Sequence, residues 1–496
     1  MEALFAKENP EKTGVDSCLT EQLMTRILQL GITMHGVIIV SKGKVIEEAN
    51  WYPFHNGQLH RMYSVSKSFV SLAVGCLAEE GKLKLSDPVS HYFPDKIPEQ
   101  MHPYLKEATV RDLLMMATPN SDQSYTVSDT DWVKTFFEMK PSHPAGTIFS
   151  YDTAGTVVLC TIVERITGMS YTEYLKGKLF EPIQASNGIT CIRTPEGTSW
   201  GGSGMLCSLY DMAKSAYVCM HHGRWGERQL LPKDYVDAAV SKQIDNSLLG
   251  GDGYGYQIWR LKRNGFAFNG MGGQYAYCFP DEDLLFACTA DNQSDAQDKT
   301  MLLKEAVYEF VDAVKKSRKS EQSDKMESEV QRTKKDKESY KDLRFPDIQG
   351  DLTSSCRNEV DGIWYKLEEN PMHIRKIRLI FQEKSGILEY ENARGQKQIS
   401  FGLAEYCQGE FPEFYFDEQI GTIGNRHYKC MAEGAWTEER KLYIRVCITD
   451  TYLGGLRMEL SFKGNQIGIH MMKTAEWFLD DYQGFAGGTR IESCCI

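Results

Sequence analysis

Apolar and polar positions alternate along the chain in two distinct rhythms. Gly36-Val37-Ile38-Ile39-Val40 is an apolar run, Ser41-Lys42-Gly43-Lys44 carries turn residues, and Val45-Ile46-Glu47-Glu48 returns, which predicts a hairpin. Phe69, Leu72, Ala73, Cys76 and Leu77 then recur at helical spacing until Gly81 ends the pattern. A second helix is predicted over 153–167, stopped by Gly168. A third opens on Ser170-Tyr171-Thr172-Glu173, a capping box, and Ser208 caps a fourth that ends at Gly223. Strand-like runs occupy 255–259, 274–279 and 284–289. Leu302, Leu303, Ala306, Val307, Phe310 and Val314 mark a final amphipathic helix. Strands at both ends with helices between predict an α+β or α/β layer.

From Lys315 to Asp342 the text is dominated by Lys, Arg, Glu, Asp and Ser, which cannot bury much surface and reads as a solvated, partly helical linker. After Pro346 the rhythm shortens to two. Ile374, Ile377, Leu379, Phe381; Ile387, Leu388, Tyr390; Phe414, Tyr415, Phe416; Leu442, Ile444, Val446, Ile448; and Leu460, Phe462 describe short strands between Gly, Asn and Asp turns. That spacing predicts a compact β-barrel or sandwich. The division expected is 1–314, a linker over 315–345, and an all-β domain over 346–496.

Composition narrows the function. The 496 residues are 42% hydrophobic and 25% charged, values of a globular chain, and the net charge of -12 repels phosphate backbones, so nucleic acid is not expected as a partner. No stretch reaches the roughly 18 apolar residues of a membrane helix. Residues 1–10 lack a basic region followed by an apolar core, so an export signal is not expected and a cytoplasmic location is. The 14 cysteines sit often in apolar runs (Cys76, Cys160, Cys219, Cys288, Cys447), which predicts small buried hydrophobes rather than disulfides. Ser493 stands where a prenylation box needs cysteine. The 11 histidines form no H-x-x-x-H, H-E-x-x-H or H-x-H, and no C-x-x-C occurs, so neither a metal nor a cofactor is expected.

Two Ser-x-x-Lys matches exist. Ser41 and Lys44 lie at the predicted hairpin tip and read as solvated turn residues. Ser64 precedes an apolar helix, and one helical turn puts Lys67 on the same face. At the positive end of the helix dipole, developing negative charge on Ser64 is favoured. A serine hydroxyl needs a neighbouring base to become a nucleophile, and lysine serves when burial or nearby cations lower its pKa. G-x-S-x-G also occurs, as Gly197-Thr198-Ser199-Trp200-Gly201, but Thr194-Pro195-Glu196 before it argues for a loop rather than a strand-to-helix elbow. Gly201-Gly202-Ser203-Gly204 and the 270–273 run lack the setting of a dinucleotide fingerprint.

Further segments complete a pattern: Tyr63-Ser64-Val65-Ser66-Lys67-Ser68-Phe69, 80–89, Ser150-Tyr151-Asp152-Thr153, Arg165-Ile166-Thr167-Gly168, Leu179-Phe180-Glu181-Pro182-Ile183, Gly201-Gly202, Tyr254-Gly255-Tyr256-Gln257 and Asn269-Gly270-Met271-Gly272-Gly273-Gln274. Over roughly residues 20–315 this set resembles the serine β-lactamase and penicillin-binding-protein superfamily, in particular its class C-like esterase and aminohexanoate-oligomer hydrolase branch. The resemblance implies an antiparallel sheet flanked by helices, with a helical subdomain near 85–200. It implies Ser64 as the acylated nucleophile, Lys67 as its base and Tyr151 as a proton relay. The backbone N–H groups of Ser64 and Met271 would form the oxyanion hole. The module after residue 346 resembles the lipocalin-like barrel of some members.

Two departures stand out among the substrate-binding positions Asp152, Thr153, Phe268, Asn269 and Gly270. The family's Tyr-x-Asn is Tyr151-Asp152-Thr153 here, so the amide is missing. The family's Lys or His before its third glycine motif is Phe268, which exchanges a cation for apolar area. The pocket is therefore expected to prefer an uncharged ester, amide or short peptide over a β-lactam or a free carboxylate. The rival expectation is a non-catalytic scaffold of the same fold that binds a ligand or protein.

Overall fold

The computed structural model describes residues 4–121, 123–126, 128–292, 299–323, 343–345, 347–403, 405–413, 428–452, 454–474 and 482–491. The chain forms two compact units, one mainly of residues 1–344 and the other mainly of 345–496.

In the first unit the predicted hairpin is β1 (Met34–Ser41) and β2 (Lys44–Asn50). A small ladder joins β3 (His60–Arg61), β4 (Thr190–Cys191) and β5 (Met205–Cys207), and a second joins β6 (Arg224–Trp225) to β7 (Arg228–Gln229). β8 (Trp259–Arg260), β9 (Phe266–Gly270), β10 (Gln274–Phe279) and β11 (Leu284–Ala290) complete a six-stranded antiparallel sheet in the order β2-β1-β11-β10-β9-β8. Every residue of β1, β10 and β11 is buried. That is why these strands read as unbroken apolar runs rather than alternating ones.

Helices α1 (Ser17–Leu30) and α2 (Val65–Glu79) precede a mostly helical stretch of α3 (Pro103–Glu107), α4 (Val110–Leu114), α5 (Trp132–Glu138), α6 (Thr153–Thr167) and α7 (Tyr171–Leu175). Then come α8 (Leu209–Met220), α9 (Lys233–Ala239) and α10 (Thr300–Ser323). α2 packs on β9, and α8 packs on β1, β10 and β11. α6 has the predicted bounds because Asp152 accepts from Ala154 N–H at one end and Gly168, at φ 71°, terminates the other.

Four local expectations change. The cap of α7 is one-sided: Ser170 Oγ accepts from Glu173 N–H at 3.2 Å, while the Glu173 carboxylate pairs with Lys176. The reciprocal box forms instead at α8, between Ser208 and Asp211, and that helix ends at Met220. Of the predicted strand over 255–259 only Trp259 is in a strand, because Gln257 adopts φ 59° and turns its side chain into the core. Ser41 is buried and accepts from the Arg318 guanidinium at 2.8 Å, so it is not a solvated turn residue.

α10 continues to Ser323, past the point where composition turns charged. Residues 324–342 of the expected linker, Phe414, Tyr415 and Phe416, and the Cys494-Cys495 tail lie outside the described residues.

In the second unit β12 (Tyr365–Leu367), β13 (Lys376–Gln382), β14 (Ser385–Asn392), β15 (Gly395–Leu403), β16 (Cys407–Glu410), β17 (Lys429–Glu438), β18 (Lys441–Ile448), β19 (Gly455–Lys463), β20 (Gln466–Thr474) and β21 (Gly484–Arg490) form one sheet. Its order is β15-β14-β13-β12-β21-β20-β19-β18-β17, and β17 returns to pair in parallel with β15 at Gly402↔Glu433 and Leu403↔Gly434. Nine strands thus close a barrel, with β16 as an extra strand on β17. Closure removes the exposed edges that an open sheet would present. The period of two is visible as alternating burial in β13, β14 and β18. Phe401 fills the interior so tightly that a Cβ on Gly386 or Gly434 would lie 2.3 or 2.7 Å from its ring. The fold is therefore α+β with a C-terminal all-β barrel. All 12 described cysteines are free thiols, ten of them buried.

Candidate active site

The site is built around the turn into α2. Tyr63 is held at φ 48°, a conformation that costs a bulky residue roughly 1–2 kcal/mol and persists only where packing enforces it. The enforcement comes from Arg61, which is buried, stacks over Tyr63 at 4.3 Å and Trp200 at 4.4 Å, and donates Nε–H to the Ser203 carbonyl at 2.9 Å.

Ser64 follows, at the N-cap position with helical φ and ψ. Its hydroxyl makes no capping bond. Lys67 Nζ lies 3.0 Å from Ser64 Oγ. The other hydroxyls along the first half of α2 are committed elsewhere: Ser66 to Met205 N–H, Ser68 to the Gln257 carbonyl, and Ser71 to the Tyr235 hydroxyl. Ser64 alone among these four serines is partly exposed.

Lys67 is only 1% exposed. Its Nζ also donates to the Gly202 carbonyl at 2.6 Å and sits 5.1 Å from the centre of the Tyr151 ring. Gly202 can approach because it has no side chain: a Cβ there would lie 2.4 Å from Thr153 Cγ2. Tyr151 is 38% exposed and stacks on Trp259 at 5.5 Å, with Tyr254 edge-on at 6.4 Å. Phe149 closes this aromatic group against Tyr254 and Trp259.

The far wall is the end of β9. A Cβ on Gly270 would lie 2.3 Å from the Met62 carbonyl and 3.3 Å from Val65, so the strand abuts the turn that carries Ser64. The following turn, Met271-Gly272-Gly273, has both glycines at positive φ and is closed by Gln274, whose amide donates to the Met271 and Ala290 carbonyls.

Among the residues singled out in the sequence, Ser64, Tyr151, Thr153, Asn269 and Met271 keep some exposure, whereas Lys67, Asp152, Phe268 and Gly270 are buried. Asp152 is 0% exposed; burial pushes its carboxyl up to about 6, against the pull of the Thr118 hydroxyl, of backbone N–H groups and of the Lys67 charge. Phe268 turns its ring away from solvent and packs edge-on against Phe69 at 5.8 Å. Ser199 of the G-x-S-x-G match is buried in a loop.

Sequence reasoning missed Arg61 and the core role of Gln257. Gln257 donates to the Leu113 carbonyl and accepts from Thr156 Oγ1, tying α2, α4 and α6 together beneath the site. Arg61 stands three residues before Ser64, followed at once by the bulky Met62 and Tyr63, a signal available in the sequence. The conformation of Gln257 left none. Among the described residues no group of three or more His, Cys, Asp or Glu side chains is arranged to hold a metal ion. No described helix is long and apolar enough to cross a membrane.

Comparison with known proteins bears on the fold and the family. A 6-aminohexanoate-dimer hydrolase of Paenarthrobacter ureafaciens is 24% identical over 261 residues, 48% of this chain and 66% of that protein. A beta-lactamase of Escherichia coli strain K12 is 22% identical over 209 residues, 39% of this chain and 53% of that protein. The chain thus spans less than two thirds of the length of these relatives. A solved Bacillus anthracis structure, provisionally assigned as a 6-aminohexanoate-dimer hydrolase, superposes with a TM-score of 0.51 at 18% identity, covering 59% of this chain and 82% of that one; at that identity the likeness is one of fold. The sequence profile of the family described as Beta-lactamase matches residues 20–307, which hold the turn of Ser64, the Tyr151 segment and the end of β9. By that match, over more than half its length, this chain belongs to the beta-lactamase family.

Proposed function

We propose that this protein is a serine hydrolase that cleaves uncharged amides, esters or short peptides through an acyl-enzyme. The observation that carries the reading is the 3.0 Å approach of Lys67 Nζ to a partly exposed serine hydroxyl that caps nothing. In its neutral form Lys67 accepts the Ser64 proton as Oγ attacks the substrate carbonyl. The resulting oxyanion is stabilised by the N–H groups of Ser64 and Met271. Tyr151 passes the proton to the departing amine or alcohol. Water, deprotonated by the same pair, then attacks the acyl carbonyl and releases Ser64. General acid–base help of this kind is worth about 10²–10⁴-fold, and one oxyanion donor about 10²–10³-fold.

The substrate class follows from what lines the site. Phe268, where the resemblance expects a cation, turns its ring into the core against Phe69 and leaves no positive charge at that position, and the exposed ring of Tyr151 is backed by Trp259 and Tyr254. Such a wall favours apolar, uncharged groups over a carboxylate. The Paenarthrobacter relative, named for the hydrolysis of a 6-aminohexanoate dimer, makes a linear amide a reasonable first substrate to try.

The test is labelling by a fluorophosphonate probe together with a panel of nitrophenyl esters, amino-acid amides, aminohexanoate oligomers and nitrocefin. Labelling and ester or amide turnover, both abolished in Ser64→Ala, are expected. An unlabelled wild-type protein would favour the non-catalytic scaffold, and nitrocefin turned over much faster than the esters would overturn the substrate class.

A further inference from the structure

We propose that Asp152 is a positioning residue for Lys67: its buried carboxylate sets the pH at which the amine gives up its proton, and capping α6 is only half of its role. This rests on the reading of Lys67 as the base.

Burial excludes a direct contact with substrate, since Asp152 has no exposed surface. Capping does not account for it either. Oδ1 accepts the Ala154 N–H at 2.8 Å, which is the capping bond. Oδ2 is buried and makes no hydrogen bond of good geometry among the described residues, with the Thr118 hydroxyl and the Gly155 N–H close enough to act on the carboxyl. A neutral asparagine would cap equally well. A buried carboxylate oxygen so poorly paired is costly, and a nearby positive charge lowers that cost.

That charge is at hand. Lys67 Nζ lies over the ring of Tyr151 and bonds the carbonyl of Gly202, and Gly202 is pressed against Thr153. The amine therefore lies over the residue before Asp152 and bonds the glycine that packs on the residue after it. The groups that face the carboxyl are few. From its own element come the Ala154 and Gly155 N–H groups, from α2 comes Lys67, and from the segment after α4 come Thr118 and Met116, whose Sδ accepts the Asp152 N–H at 3.4 Å. Lys67 is the one ionised side chain acting on it. Burial holds the carboxyl at about 6, so it is charged at neutral pH and loses its charge in mild acid. Coupling between two sites is reciprocal. If the ammonium favours the carboxylate, the carboxylate favours the ammonium equally, and it delays release of the free amine to higher pH.

The experiment is the pH dependence of fluorophosphonate labelling in wild type and Asp152→Asn, with a melting curve to establish that the variant is folded. Asparagine keeps the cap and deletes the charge. The acid limb is expected to move to lower pH by about one unit, in the range an adjacent opposite charge produces. An unmoved limb in a folded variant would overturn the proposal. If wild type fails to label at any pH, the hydrolase reading fails instead, and the coupling is read without catalysis, from the carboxyl ¹³C titration of Asp152 in wild type and Lys67→Met. Loss of the cation should move that titration above its wild-type midpoint; an identical midpoint in both proteins would refute the link.

Discussion

Lys67 Nζ lies 2.6 Å from the carbonyl oxygen of Gly202, a residue 135 positions further along the chain. A lysine has four rotatable bonds, and a single contact with Ser64 would leave its amine free to swing. The second, backbone acceptor fixes the amine between nucleophile and tyrosine. Gly202 can serve because it has no Cβ to meet Thr153.

Gly202→Val is therefore expected to displace the carbonyl and with it the amine. Misplacement by about 1 Å costs on the order of 10²-fold in rate. The rate of probe labelling should fall by that order while the protein still melts cooperatively. A variant that labels at the wild-type rate would show that the amine is positioned by other contacts.

The stack of Tyr151 on Trp259 leads to a second expectation. Trp259→Ala removes the surface that holds the phenol, and Trp259→Phe keeps much of it. The alanine variant should lose about tenfold in kcat, the rough worth of one aromatic pair, and phenylalanine should restore most of it. Equal loss in both variants would mean that the indole contacts substrate rather than orienting Tyr151.

Much of this arrangement is legible in the sequence where local rules act alone. The bounds of α6 follow from Asp152 and Gly168, and β10 from its apolar run between a glycine turn and Pro280. The Ser64–Lys67 pair follows from helical spacing. What sequence spacing does not carry is long-range. The turn of Arg61 onto Ser203, the approach of Gly270 to Met62, and the left-handed Gln257 at the junction of three helices each depend on segments more than 100 residues apart. The same limit affects Phe268: its place in the motif was readable, but its direction toward Phe69 was not.

That direction is testable. Phe268→Lys would restore the cation expected at this position. With the ring buried in the core, the substitution should destabilise the protein by roughly 3–5 kcal/mol, through lost packing and a buried charge. A drop in melting temperature without gain of carboxylated substrates is expected. Unchanged stability together with new activity on such substrates would mean that position 268 faces the pocket.

A final prediction concerns acid stability, on which two buried sites act in opposite directions. His35 Nδ1 and His60 Nε2 are 3.2 Å apart, both rings are buried, and His35 stacks on Phe54 at 3.8 Å. Burial lowers His60 to about 4 and holds His35 well below its ordinary value. The unfolded imidazoles take up protons near 6.5 and the folded ones do not, so their contribution to stability is complete above that pH and is lost as the pH falls toward 4. Asp152 has the reverse sign. Its folded carboxyl titrates at about 6, above the unfolded value, so the native state binds its proton more tightly and gains stability on acidification over the same window. Each pH unit between folded and unfolded midpoints is worth about 1.4 kcal/mol. By that measure His60 and Asp152 act with comparable size and opposite sign, and His35 adds to the side of His60. The melting temperature should fall between pH 7 and pH 4, less steeply in His35→Phe and more steeply in Asp152→Asn. A wild-type melting temperature that rises across this range would mean that the histidine pair is protonated in the folded protein.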